Sequence, residues 1–262
     1  MTDTEERPQG EMTLIEHLEE LRTRILRAAM AITVGAIVCF IFRGQIIDAI
    51  IEPYCQSLPE RDNDGFVSQE NCRLFQTEPL EEFSLVFTIA AYGGFILAIP
   101  VVLWQVWKFV VPGLYPHERK WAIPFVFSGA TLFLFGSALA YWSIPRALDF
   151  LLNFGGDRID SLLTPGPYIA FVVKMLVAFG LGFQFPLVLI FLQLVGVVSN
   201  STLKSGRRYA IVGIVVLVAI LTPSGDPITL MVLSVPMYIF YEAAVLFGII
   251  RARKERKAAA AA

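Results

Sequence analysis

Two short segments of this chain bring acids and arginines close together. One is 13–27 (TLIEHLEELRTRILR), with Glu16 and Glu20 among Arg22, Arg24 and Arg27. The other is 114–120 (LYPHERK), with Glu118 beside Arg119. A carboxylate meets a guanidinium through two parallel hydrogen bonds, a geometry that an ammonium group does not reproduce. Fixed acids of this kind suit recognition of a cationic peptide, provided both segments face one compartment. Catalysis finds less to work with. His117-Glu118 opens an H-E-x-x sequence, but Trp121 stands where a zinc hydrolase needs its second His. There is no G-x-S-x-G elbow or phosphate-binding loop, and neither His has ligand-like spacing. No catalytic residue, metal or cofactor is expected.

Whether the two segments share a compartment depends on the apolar stretches around them. The 262 residues are 56% hydrophobic with a mean hydropathy of +0.63, too apolar for a water-facing shell. Six stretches read as membrane spans, near 25–42, 83–110, 121–144, 168–198, 209–222 and 228–250. The fifth is short, so it must sit in thinned bilayer or pair with the sixth as a half-depth hairpin. Alternate segments counted from the N-terminus carry 15 Lys and Arg residues, and the opposite loops carry 5. That asymmetry predicts both termini in the cytoplasm. An even number of crossings then puts Glu20 and Glu118 on the same face. The first two dozen residues lack the basic start and apolar core of a cleavable signal, so the first span is expected to remain as an anchor. The expected fold is a single all-α, polytopic membrane domain over 1–262, with six spans. Interior prolines at Pro100, Pro124, Pro186 and Pro236 each remove a backbone donor and bend a helix. They favour a curved wall with a concave face over a straight bundle.

Periodicity makes 13–27 an amphipathic helix. Thr13 and Glu16 fit a capping box. Leu14, Leu18, Leu21 and Ile25 share one stripe, with Glu16, Glu20, Thr23 and Arg27 opposite. Arg24 lies one turn from Glu20 and can pair with it, while Arg22 falls at the apolar border. On periodicity alone this is an interfacial helix with ordinary charge pairs. Pro112-Gly113 and Pro116 are turn signals that hold Glu118 near the membrane surface. In the first outward loop an interfacial helix around Ile46–Ile51 is expected to end at Pro53. Cys39 reads as a packed span residue, whereas Cys55 and Cys72 fall on the oxidising side. A disulfide closing that 18-residue stretch would contribute about 3 kcal/mol, and the alternative is two unrelated thiols. Lys174 and Glu242, inside spans, are expected to snorkel to the two interfaces.

Seven runs carry a more specific signal: HLEELRTRIL (17–26), IEPY (51–54), PLEEF (79–83), FVVPGLYPHER (109–119), FQFPLVL (183–189), LTPSGDP (221–227) and PMYIFYE (236–242). In this order, spread over nearly the whole chain, they make it resemble TatC, the multi-spanning subunit of the twin-arginine protein translocase. The resemblance implies that Glu20 and Glu118 bind the consecutive arginines of a signal peptide, with Arg22 and Phe109 on the same recognition surface. It implies functional importance for Pro53, Pro100 and Asp226 through local geometry. The implied partners are twin-arginine signal peptides of folded cargo and single-span TatA- and TatB-type subunits in a multimeric complex. The implied setting is the bacterial cytoplasmic membrane, with the proton motive force as energy source and no nucleic acid. One position departs from the family. Many members carry a Glu in the fourth span where this chain has Gln184, which cannot titrate but can make a polar contact to a partner helix. A secondary transporter of a small solute is the rival reading. It would require mid-membrane ionisable pairs and repeat symmetry, and neither is visible.

Overall fold

The computed structural model describes residues 14–57, 74, 78–110, 122–154, 164–222 and 225–261. Among them the secondary structure is entirely helical: α1 (Leu14–Ile41), α2 (Arg43–Ser57), α3 (Glu81–Val110), α4 (Ala122–Asn153), α5 (Pro165–Gly182), α6 (Phe185–Leu194), α7 (Asn200–Ser205), α8 (Arg207–Leu221) and α9 (Pro227–Ala261). Five helical stretches are long and apolar enough to cross a membrane: α1, α3, α4, α5 continued into α6, and α9. The short fifth stretch is α8. Its 15 residues reach only about 22 Å at 1.5 Å per residue, against roughly 30 Å of hydrocarbon.

Several helix boundaries differ from the sequence expectation. The N-terminal amphipathic segment and the first span form one unbroken helix, α1, because nothing between Leu14 and Ile41 breaks the backbone ladder. Pro124 is the third residue of α4, where a missing N–H costs nothing. Pro145, expected in a loop, lies inside α4, which continues to Asn153. At Pro186 the helix is interrupted rather than bent: turn residues Phe183 and Gln184 separate α5 from α6.

Pro53 does not end α2. The helix runs through it to Ser57, and the proline is buried. A proline leaves the carbonyl four residues earlier without its helical donor, here that of Ala49. Tyr141 of α4 supplies the replacement, its hydroxyl donating to Ala49 O at 2.7 Å. Tyr168 of α5 donates to the adjacent Ile50 O at 2.8 Å, and its ring lies 5.7 Å from that of Tyr54. The proline thus opens a carbonyl that docks α2 on its neighbours.

Two clusters of buried side chains hold the helices together. One gathers Ile50, Leu85, Ile144 and Ile169 of α2–α5. The other packs Met175, Phe179, Phe183, Leu233 and Met237 between α5 and α9. α1 stands apart from both. It packs most extensively on α3, and the contact is made by backbone. A Cβ on Gly94 would sit 2.4 Å from Ala36 N, and one on Gly35 would sit 2.7 Å from Gly94 O. Small residues at a membrane helix interface allow this approach, and dispersion over the shared surface then supplies the attraction.

Candidate functional site

The inward stripe of α1 continues from this glycine contact towards the helix start. Gly35 and Cys39 are buried, and Ala31, Ala28, Arg24, Glu20 and His17 on the same side are partly buried. Ile15, Leu18, Ile25 and Leu26 are exposed instead. The inward side thus carries Glu20, Arg24 and the partly buried Leu21, while Glu16, Thr23 and Arg27 are exposed. Periodicity showed the two stripes but not which of them faced inward.

From the Gly35–Gly94 contact, α1 runs back 18 residues to His17 and α3 runs forward 15 residues to Phe109. The two rings meet with centroids 4.4 Å apart and planes inclined by 23°. Phe109 and the Glu20 turn of α1 are therefore neighbours at one end of the helix pair. Glu20 uses one oxygen for its own helix, with Arg24 Nε donating to Oε1 at 3.0 Å and Arg24 Nη2 donating to the same atom. The pair is half-enclosed, with side-chain exposures of 15% for Arg24 and 20% for Glu20. The second oxygen, Oε2, is buried and has no hydrogen-bond partner among the described residues. An open cleft of about 450 Å³ lies along this turn, lined by Glu16, Glu19, Glu20, Thr23, Arg24 and Arg27. Among the described residues its lining holds three acids and two arginines.

Arg22 is exposed and two residues from Glu20, so it points to a different side of α1. Glu118, Cys72 and the capping residue Thr13 lie outside the described residues. Cys55, in the last turn of α2, is disulfide-bonded, and Cys39 is free and buried. Pro100 lies inside α3, on an exposed part of its surface.

Gln184 and Asp226 belong to other parts of the molecule. Gln184 sits at the α5–α6 interruption and donates from Nε2 to Gly129 O of α4 at 2.8 Å. Its Oε1 is buried and unpartnered. Asp226, 2% exposed, precedes Pro227 at the start of α9 and caps it. Its Oδ1 accepts from Thr229 N at 2.7 Å, and the Thr229 hydroxyl donates to Oδ2. Glu242, expected to snorkel, is paired: it accepts from Arg207 of α8 at 2.8 Å and from the Tyr238 hydroxyl at 3.1 Å. Lys174 is exposed. Sequence reasoning missed Glu81, whose Oε1 accepts Gly166 N at 2.7 Å and so ties the start of α3 to the start of α5. Two adjacent acids opening an apolar run were the available signal.

The family model described as Sec-independent protein translocase protein (TatC) matches residues 16–236. This chain belongs to the TatC family. A Sec-independent protein translocase protein TatC of Frankia casuarinae is 38% identical over 93% of this chain and 67% of its own length. The TatC of Aquifex aeolicus is 35% identical over 94% of this chain and 98% of its own. A crystal structure of a twin-arginine translocase receptor, TatC, superposes with a TM-score of 0.73 at 35% identity, covering 89% of this chain and 99% of that one. The family makes this a multi-pass membrane protein of a protein translocase, which removes the small-solute transporter reading.

Proposed function

We propose that the end of the α1–α3 pair bearing Glu20 and Phe109 receives the consecutive arginines of a twin-arginine signal peptide. The observation that carries this is the Glu20 carboxylate, with one oxygen held by Arg24 and the other buried without a partner. A buried, unpaired carboxylate oxygen is costly to leave unsatisfied, and an incoming guanidinium satisfies it. Glu118 is the second acceptor and Phe109 contributes the apolar edge, while Arg22, on another side of α1, acts from outside this cleft. Two acids for two guanidiniums leave no charge unpaired.

In this reading 1–262 is one domain with six spans, α8 being the fifth, and both termini lie in the cytoplasm of a bacterium. The Lys and Arg asymmetry supports that orientation. The signal peptide's apolar stretch lies along a concave wall to which Pro100 contributes. TatA- and TatB-type single-span subunits assemble with the chain, and the half-buried Gln184 side chain is the polar contact offered to them. The proton motive force supplies the energy, no enzymatic chemistry is involved, and Cys55 is bonded to Cys72.

Photocrosslinking of a twin-arginine peptide to the full chain in membranes tests the site. Each charge-assisted hydrogen bond contributes about 1.5–3 kcal/mol. Glu20→Ala and Glu118→Ala should therefore each weaken binding about tenfold or more, and Phe109 should crosslink most strongly. Unchanged crosslinking to the double variant would refute the reading.

A further inference from the structure

A second charged cleft lies elsewhere, between α7 and the end of α9. It has a volume of about 480 Å³ and is lined by Asn200, Ser201 and Lys204 on one side and Ile249, Ala252 and Arg253 on the other. We propose that this cleft binds the headgroup of an anionic phospholipid. The proposal is independent of the signal-peptide reading.

The walls are built by packing. In the orientation its neighbours require, the Asn200 amide donates to Val245 O and accepts from Ile249 N, each at 3.2 Å. The Tyr241 hydroxyl donates to Leu203 O at 2.5 Å. These contacts fix α7 against α9, so Lys204 and Arg253 stand on opposite rims of one opening. Two other cations of α8 and α9 are engaged. Arg207 is paired with Glu242 at 2.8 Å, and Arg251 reaches Leu194 O at 3.5 Å. Among the described residues neither Lys204 nor Arg253 forms an ion pair. Two unpaired cations facing one opening, beside the neutral donors Asn200 and Ser201, match a phosphodiester.

What selects a lipid over a free phosphate is the surface that leads away from the cleft. Leu246, Ile250 and Arg253 follow one another at i, i+4 and i+3 on one face of α9, and Leu246 and Ile250 are exposed. The stripe continues through Ile239, Val235 and Met231, also exposed. An acyl chain laid along this stripe brings its headgroup to Arg253 and Lys204. A soluble anion lacks the acyl contact, and the quaternary ammonium of a phosphatidylcholine headgroup brings a further positive charge beside Lys204 and Arg253.

The test uses the purified full chain in neutral detergent, with bound lipid counted by native mass spectrometry. Phosphatidylglycerol should fill one saturable site, and phosphatidylcholine and glycerol phosphate should not. Lys204→Gln and Arg253→Gln should each weaken that site about fivefold, the effect of one basic residue on an anionic lipid surface. Lys204→Arg should restore it, and both Gln variants should keep the parent's melting temperature. Equal loss with Lys108→Gln, a cation at the end of α3, would reduce the effect to diffuse surface potential and overturn the proposal. It is equally overturned if glycerol phosphate competes as well as the lipid, or if a co-purifying single-span helix occupies the stripe while no lipid is retained.

Discussion

The α1–α3 joint and the fastening of α9 solve one problem in opposite ways. α1 meets α3 backbone to backbone across Gly35 and Gly94. α9 is held by side chains that reach across gaps: Gln193 Nε2 to Ala244 O at 3.1 Å, Arg207 to Glu242, and Tyr241 to Leu203 O. Between lipid-solvated helices there is no hydrophobic drive to associate, so close packing and polar bonds are the available attractions. A joint of the first kind tolerates loss of polar groups but not added atoms. A joint of the second kind takes an added methyl group where the facing side chains leave room, as at Gly182 but not at Gly248, and loses something with each polar group removed. The proposed signal-peptide end depends on the first kind, because the glycine contact sets where Glu20 stands relative to Phe109.

Adding a methyl group should separate the two kinds most widely. Gly94→Ala puts carbon 2.4 Å from a backbone nitrogen, so α1 must shift, at about 1–3 kcal/mol. Gly182→Ala, facing α9, makes only ordinary contacts with Leu233 and Met237 at 3.5–3.6 Å and should be nearly neutral. Thermal unfolding in detergent measures both, and equal effects would erase the distinction. Gly94→Ala should also weaken peptide crosslinking although it touches no peptide. Removing the α9 cap comes next. Asp226→Ala should cost about 0.5–2 kcal/mol, with Asp226→Asn retaining most of the stability, read as a fall in melting temperature. The smallest effect is expected at the α8–α9 ion pair. Arg207 and Glu242 keep 49% and 33% of their side-chain surface exposed, and such pairs contribute about 0.2–1 kcal/mol. Glu242→Gln should lower the melting temperature slightly, and less at high salt.

The span positions were legible because a bilayer asks one thing of a helix, sustained apolarity over its thickness. α8 was recognisably short for the same reason. The Glu20–Arg24 pair followed from a four-residue spacing, and the family followed from seven runs in order. The prolines were less legible. A proline announces a missing donor but not what will replace it, and Tyr141, 92 positions from Ala49, is not adjacent in any local pattern. Asp226 carries a sequence signal, an acid before Pro227 with Thr229 three residues on, and the structure makes it the cap of α9.

The chain's own residues determined that it is helical, membrane-embedded, asymmetric in basic charge and equipped with acids suited to guanidinium groups. These properties are additive along the sequence, so composition and periodicity express them. Only the tertiary structure decided that Glu20 turns inward while Leu18 and Ile25 turn out, that Phe109 meets His17, and that Gln184 bonds to α4. Those outcomes depend on which surfaces of distant helices fit against each other, and a one-dimensional pattern holds no record of that fit.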